Sequence, residues 1–280
     1  MGYKWIDHFS VAVKTREEGV ATYRDKLGLK NLAPLRESGQ GSYVGSLCLD
    51  DDDRFLEVLG PTRPDAPVAR TIATRGEGFH MIVIVVDSLP ETLDQLRAKE
   101  VQLVNTKGPG DPYIHPRSAH GALLQIRERS EAGLKELLGR TEGARQLQPT
   151  GYRWLDRVVI VVKDLDQGIA TYQDTIGLML DHTSQYKSYK KAVFSVGNHI
   201  GGRYLELVQP LDGGTLLGQT LERRGEGFHM AALAVKDLGQ MAKDLKARGV
   251  KLIGGEKTED QVFIDPQSAH GALLQLVERP

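Results

Sequence analysis

The chain repeats itself, and nothing else in it constrains the fold as strongly. Gly2 to His8 reads GYKWIDH, and Gly151 to Arg157 reads GYRWLDR. GEGFHM runs from Gly76 to Met81 and again from Gly225 to Met230; both of these pairs are offset by 149 residues. SAHGALLQ runs from Ser118 to Gln125 and from Ser268 to Gln275, offset by 150. Three landmarks in one order at a near-constant spacing require an internal duplication. The expected domains are residues 1–128 and 150–280, joined by a charged linker over 129–149. Within that linker Glu131 to Leu138 is expected to form a short exposed helix.

Each copy divides again into two halves. Asp7 to Val13 alternates as a strand, and Glu17 to Lys26 carries Val20, Tyr23 and Leu27 on one helical face before Gly28 stops it. Strands are expected at Ser42–Leu49 and Arg54–Leu59. The order then restarts with a strand at Met81–Val86, a helix at Pro90–Lys99, and strands at Val101–Val104, Tyr113–Ile114 and Ala122–Arg127. The second copy repeats this with helices Gln167–Thr175 and Leu238–Arg248. The reading is an α+β protein: two tandem domains, each of two paired βαβββ modules that form a curved, cup-shaped mixed sheet.

Composition removes several classes of function. Lys plus Arg is 36 and Asp plus Glu is 37, so the basic stripe that a nucleic-acid partner needs is not expected. The apolar runs, such as Met81–Val86 and Val158–Val162, fall far short of a membrane span, and Met1 to His8 does not read as a signal peptide. The single cysteine, Cys48, lies among apolar strand residues and reads as core thiol. Without an intrachain disulfide the chain fits a cytoplasmic setting.

A strand opening on IDH, a strand carrying LEVLGP, then GEGFH and HPRSAHGALLQ together resemble the vicinal-oxygen-chelate superfamily, which includes glyoxalases, bleomycin-resistance proteins and dioxygenases. The motifs are similar to those of methylmalonyl-CoA epimerase, whose modules carry a DH strand, a GEGxHH strand and an HPKSxxGVLIEL strand. The resemblance implies a divalent metal, Mn, Fe, Co, Ni or Zn, held by one residue at each of four inner-face positions. In the first copy these positions are His8, Glu57, Met81 and Gln125. Met81 stands where the family has the second His of GEGxHH, and strand alternation turns the neighbouring His80 to the other face. In the second copy they are Arg157, Glu206, Met230 and Gln275, and a permanently charged guanidinium cannot ligate a metal. The epimerase also needs a carboxylate base on the third strand, and neither Gly41–Leu49 nor Ala192–Val196 holds one.

The resulting reading is a small-molecule-binding protein for an organic acid, acyl or aromatic ligand, with degenerate metal sites and no cofactor or a weakly held divalent metal. Arg157 would grip a ligand's carboxylate or phosphate in place of a metal's charge, or would close a dead site as an ion pair with Glu206. Met81 and Met230 would make apolar cup floors, with Gln275 beside the second. The alternative is a glyoxalase- or epimerase-like lyase or isomerase, with His8 and Glu57 catalytic and His8, Glu57 and Gln125, with His80 or a water, on the metal. An extradiol-type dioxygenase is disfavoured, because the second copy lacks the ligands. A homodimer that brings two His8 and two Glu57 together would also complete a site. His80 and His229 read as structural, and His120 and His270 as turn or rim residues. Gly76, Gly78, Gly225 and Gly227 read as a turn, because they lead into a strand and offer no helix N-terminus to a phosphate. Asp50–Asp53 and Lys190–Lys191 read as solvated loops or exposed strand faces.

Overall fold

The computed structural model describes residues 2–32, 36–38, 41–50, 52–107, 110–130, 133, 149–197, 204–254 and 262–280. The helix expected at Glu131–Leu138 lies outside the described residues, apart from Gly133. Strands of the first copy are β1 (Tyr3–Ala12), β2 (Lys30–Asn31), β3 (Arg36–Ser38), β4 (Ser42–Leu49), β5 (Asp52–Pro61), β6 (Gly78–Val86), β7 (Leu103–Val104), β8 (Tyr113–Ile114) and β9 (Leu124–Glu128). Those of the second are β10 (Tyr152–Val161), β11 (Met179–Gln185), β12 (Tyr189–Ser195), β13 (Tyr204–Pro210), β14 (Gly227–Val235), β15 (Leu252–Gly254), β16 (Val262–Ile264) and β17 (Leu273–Glu278). They form two open mixed sheets, ordered β2-β4-β5-β1-β6-β9-β8-β7, with β3 also on β4, and β11-β12-β13-β10-β14-β17-β16-β15. In each sheet the opening strand of a half pairs in parallel with the last strand of that half, as β1 does with β5 and β14 with β17.

The chain packs as two compact units that interleave the copies. One contains Met1–Asp7, Met81–Arg129 and Arg157–His229; the other contains His8–His80, Ser130–Asp156 and Met230–Pro280. Each unit therefore joins the opening half of one copy to the closing half of the other. Among the described residues no helix is long and apolar enough to cross a membrane.

In the first unit the core is Ile82–Val86, Leu124 and Ile126 with Val158–Val162, Phe194, Leu205 and Leu207, all buried. Burying each such side chain stabilises by roughly 1.5–3 kcal/mol. The helix expected at Gln167–Thr175 is an α-turn, Leu165–Ile169, followed by a π-helical turn, Ala170–Thr175. That wider turn brings Thr171 and Tyr172 against the SAHG segment. The fully buried Tyr172 hydroxyl donates to the Ala119 carbonyl at 3.0 Å, which satisfies a group that would be costly to bury alone. His120 sits in the left-handed region at φ 47°, with one ring nitrogen 3.1 Å from Glu226 and the other 3.0 Å from the Thr171 hydroxyl. Glu226 also accepts from the Lys163 backbone N–H at 2.8 Å.

The second unit builds the same joint from the reciprocal residues. Helix Arg16–Ala21 ends in a π-helical turn, Thr22–Lys26, in place of the continuous helix expected at Glu17–Lys26. The buried Tyr23 hydroxyl donates to the Ala269 carbonyl at 2.9 Å. His270, at φ 49°, contacts Glu77 at 3.2 Å and the Thr22 hydroxyl at 3.0 Å, and Glu77 accepts from the Lys14 N–H at 2.7 Å. The GEGFH and SAHG motifs that reveal the duplication are thus partners in space, Glu to His, each from the opposite copy. The turn reading of His120 and His270 describes their backbone but not this bridging.

Two further expectations need correction. Asp50 is not a solvated loop charge: it accepts from the Thr150 and Gly151 backbone N–H groups and from the Thr150 hydroxyl at 2.8–2.9 Å, tying the start of the second copy to the first within this unit. Helices Pro67–Arg75 and Leu216–Arg224 were not expected at all, and they lead into the GEGFH strands.

Candidate functional site

Strand register decides which side chains share a face, because paired residues point the same way and neighbours along a strand point oppositely. In β1 and β5, His8 pairs with Phe55 and Ser10 with Glu57, so His8 and Glu57 lie on one face. Their contact is direct: His8 Nε2 is 3.2 Å from Glu57 Oε2, and their side chains are only 1% and 6% exposed. The His8 ring stacks on Phe55 at 4.4 Å. The other carboxylate oxygen, Oε1, accepts from Arg36 at 3.2 Å and from the Ser46 hydroxyl at 3.4 Å. Ser46 faces Glu57 directly across β4 and β5.

On β6 and β9, Val83 pairs with Gln125, so Met81, two residues before Val83, shares the Gln125 face and His80 turns away from it. Gln125 Nε2 donates to the Tyr113 hydroxyl at 3.2 Å and lies 3.5 Å from Asp111. A carboxylate only accepts, so the amide nitrogen faces Asp111 and the amide oxygen is turned elsewhere. On β14 and β17, Met230 pairs with Leu273 and Ala232 with Gln275, which puts Met230 and the buried Gln275 on one face. Phe263 stands opposite Gln275, where Tyr113 stands opposite Gln125.

The opening half of the second copy carries a different chemistry. Arg157 pairs with Tyr204 and Val159 with Glu206, so the guanidinium and carboxylate share a face. Arg157 Nε is 3.7 Å from Glu206 Oε2, and Lys191 Nζ is 3.0 Å from Glu206 Oε1. The side chains of Arg157, Lys191 and Glu206 are 17%, 19% and 10% exposed. Lys191 was read with Lys190 as part of an exposed run. Alternation on β12 instead turns it inward, beside Val193, which pairs with Glu206. The signal was available: in a two-lysine run on a strand, one residue must face each side.

His80 and His229 sit in matching places, and burial pushes each imidazole down to about 4, helped by Arg75 and Arg224 respectively. Both stay neutral when folded and protonate more readily when unfolded, so their stabilisation is full above roughly 6.5 and lost as pH falls toward 4. Each ring keeps some exposure, so the loss is up to about 2 kcal/mol per site. Urea midpoints at pH 7.5 and 5 should show it, and a His80→Phe/His229→Phe double variant should have a flatter pH profile.

Residues 6–135 match the family model described as a glyoxalase-like domain. Residues 156–263 match the glyoxalase/bleomycin resistance protein/dioxygenase superfamily. The chain belongs to this superfamily, the vicinal-oxygen-chelate fold, once in each copy. The uncharacterized protein YqjC of Bacillus subtilis is 27% identical over 129 residues, 44% of this chain and 91% of that protein. The ethylmalonyl-CoA/methylmalonyl-CoA epimerase of Cereibacter sphaeroides is 25% identical over 131 residues, 44% of this chain and 96% of that protein. A mutant of 4-hydroxymandelate synthase from Streptomyces coelicolor superposes with a TM-score of 0.73 at 16% identity, covering 99% of this chain and 93% of that one, a likeness of fold.

The superfamily resemblance implies a divalent metal, so the fit of such an ion can be tested against the donors present. Among the described residues no three His, Cys, Asp or Glu side chains gather into a metal-binding group. Arg157 and Lys191 already surround Glu206, and two cations beside that carboxylate disfavour a third, so this half does not fit a metal. His8 and Glu57 are of the right donor type, imidazole and carboxylate, and would supply two of the donors that such an ion needs.

Proposed function

We propose that this chain is a small-molecule-binding member of the superfamily that holds an organic anion, an acyl or aromatic acid, on the face carrying Arg157, Lys191 and Glu206. The observation that carries this reading is the convergence of two cations on one carboxylate in a largely buried place. The guanidinium and the ammonium gathered there are donors that an anionic ligand could share with Glu206. A guanidinium also presents its donors in a fork matched to a carboxylate. Where the resemblance leads one to expect a metal ligand, Arg157 supplies the positive charge itself. Organic acids should therefore bind without added metal, and Arg157→Gln should weaken them at least about tenfold. Calorimetry in the presence of a chelator measures both.

A second reading rests on the 3.2 Å contact of buried His8 and Glu57. There the chain would act as a metal-dependent lyase or isomerase, the metal serving as a Lewis acid toward a substrate oxygen. His8 and Glu57 would hold the ion, with Ser46 and Arg36 orienting the carboxylate. Metal analysis of untagged protein, followed by titration with Mn, Co, Ni and Zn, tests it. Stoichiometric binding that disappears in His8→Ala supports this reading, and its absence leaves the pair as a buried polar contact.

A further inference from the structure

We infer that the face carrying His8 and Glu57 receives a small α-hydroxy carboxylate, its carboxylate on Arg36 and its hydroxyl between Ser46 and Glu57. This inference concerns the face of the second reading above and rests on that face taking a ligand, with or without a metal beside it.

The two copies part ways on either side of their shared carboxylate. Glu57 pairs with Ser10 on β1 and with Ser46 on β4, so a serine flanks it on both neighbouring strands. Glu206 pairs with Val159 on β10 and with Val193 on β12. Ser10 and Ser46 are buried, 0% and 8% exposed. Serine packs less well than valine in a strand, and its hydroxyl costs free energy to bury. The second copy shows that the fold does not require this cost. Nor does a carboxylate require serines beside it, since Glu206 stands between two valines and is held by Lys191 at 3.0 Å.

The geometry around Glu57 says what two such hydroxyls fit. Arg36 Nη2 and Ser46 Oγ both meet Glu57 Oε1, at 3.2 and 3.4 Å. Sharing one acceptor atom sets them side by side, as the groups they would bind lie on adjacent carbons. Arg36 comes from the short strand β3 and is 52% exposed, whereas Lys191, which meets the same oxygen of Glu206 from β12, is 19% exposed. Glu57 takes one of the five N–H donors of the guanidinium, and the half-exposed remainder of the fork matches a ligand carboxylate. A hydroxyl on the next carbon can donate to Glu57 and accept from Ser46 at once. Ser46 is nearly closed off, so the head group that reaches it must be small.

Calorimetry on the full chain with α-hydroxybutyrate, butyrate and α-hydroxybutyramide tests this. The hydroxy acid should bind about tenfold more tightly than butyrate, the size of one well-placed hydrogen bond. Ser46→Ala should abolish that preference and leave butyrate unchanged, while Ser46→Thr, which keeps a hydroxyl, should retain it. Arg36→Gln should weaken the hydroxy acid at least about tenfold, and the uncharged amide should bind the native protein more weakly by a similar factor. Equal binding of the two acids, a preference that survives Ser46→Ala, or no effect of Arg36→Gln would each overturn the inference. Stoichiometric metal binding that disappears in His8→Ala, without any preference for the hydroxy acid, overturns this inference and spares the metal reading. The preference without metal binding does the reverse. Arg36 is half exposed and Ser46→Ala removes a single oxygen, so unchanged melting temperatures show that both variants are folded.

Discussion

Gly121→Ala should lower folding stability by at least about 3 kcal/mol, while Gly76→Ala should cost only about 1 kcal/mol. Both glycines have a positive φ, 80° and 78°, so both substitutions carry a conformational penalty, and Gly76, with ψ at −175°, lies in a region almost confined to glycine. They differ in what a β-carbon would meet. At Gly76 nothing lies within 4 Å, whereas at Gly121 a β-carbon would come within 2.0 Å of the Glu226 carbonyl oxygen. That oxygen belongs to backbone, which cannot swing aside as a flexible side chain does. The overlap would also push apart the joint in which His120 meets Glu226 and Thr171. Gly271→Ala should behave like Gly121→Ala, because its β-carbon would lie 2.2 Å from the Glu77 carbonyl oxygen. Chemical denaturation of the three variants measures the difference. Equal losses at Gly76 and Gly121 would show that backbone conformation, not the close approach, makes these positions glycine.

Arg129→Met is the other large effect expected, about 3 kcal/mol. Asp7 is 1% exposed and is gripped by Arg129 through two bonds, Nε to Oδ1 at 2.6 Å and Nη2 to Oδ2 at 2.5 Å. Arg127 stands 3.8 Å from the same carboxylate and would replace little of that grip, since its own Nε is held by Asp111 at 2.6 Å. Removing Arg129 takes both of these bonds from a carboxylate held away from water, which costs more than the pair was worth. Asp7→Asn added to Arg129→Met should recover part of the loss, which a double-mutant cycle would detect. The matching pair in the other copy, Arg279 with Asp156, has an arginine side chain 41% exposed against 13% for Arg129. Water can take over more of its role, so Arg279→Met should cost roughly half as much.

What could be read from sequence follows from how local each signal is. β4 runs over Ser42–Leu49 as expected, and the shared face of His8 and Glu57 is what the family resemblance implied by placing both at inner-face positions. The absence of a carboxylate on β4 was likewise plain. Lys191 was missed although parity could have placed it, because a lysine pair suggests solvent before it suggests a strand. Helix Pro67–Arg75 was missed because two of its nine residues are threonines, whose hydroxyls bond back to Pro67 and Arg70 carbonyls at 3.2 and 2.9 Å. Such side chains blur an apolar stripe while leaving the helix intact. The Glu77–His270 and Glu226–His120 partnerships join positions 193 and 106 residues apart, and no periodicity within one segment can announce them.

The interleaving sets an order on biosynthesis. The unit holding Arg157–His229 has all its segments once His229 has been made, but the other must wait for Met230–Pro280. At ordinary translation speeds, the half ending at His80 spends roughly ten seconds or more before its partner begins to emerge. Through that interval β1, β4 and β5 await the turn that Tyr23 will clasp 246 residues downstream. Loops that long close late and slowly, so one unit should become protease-resistant well before the other.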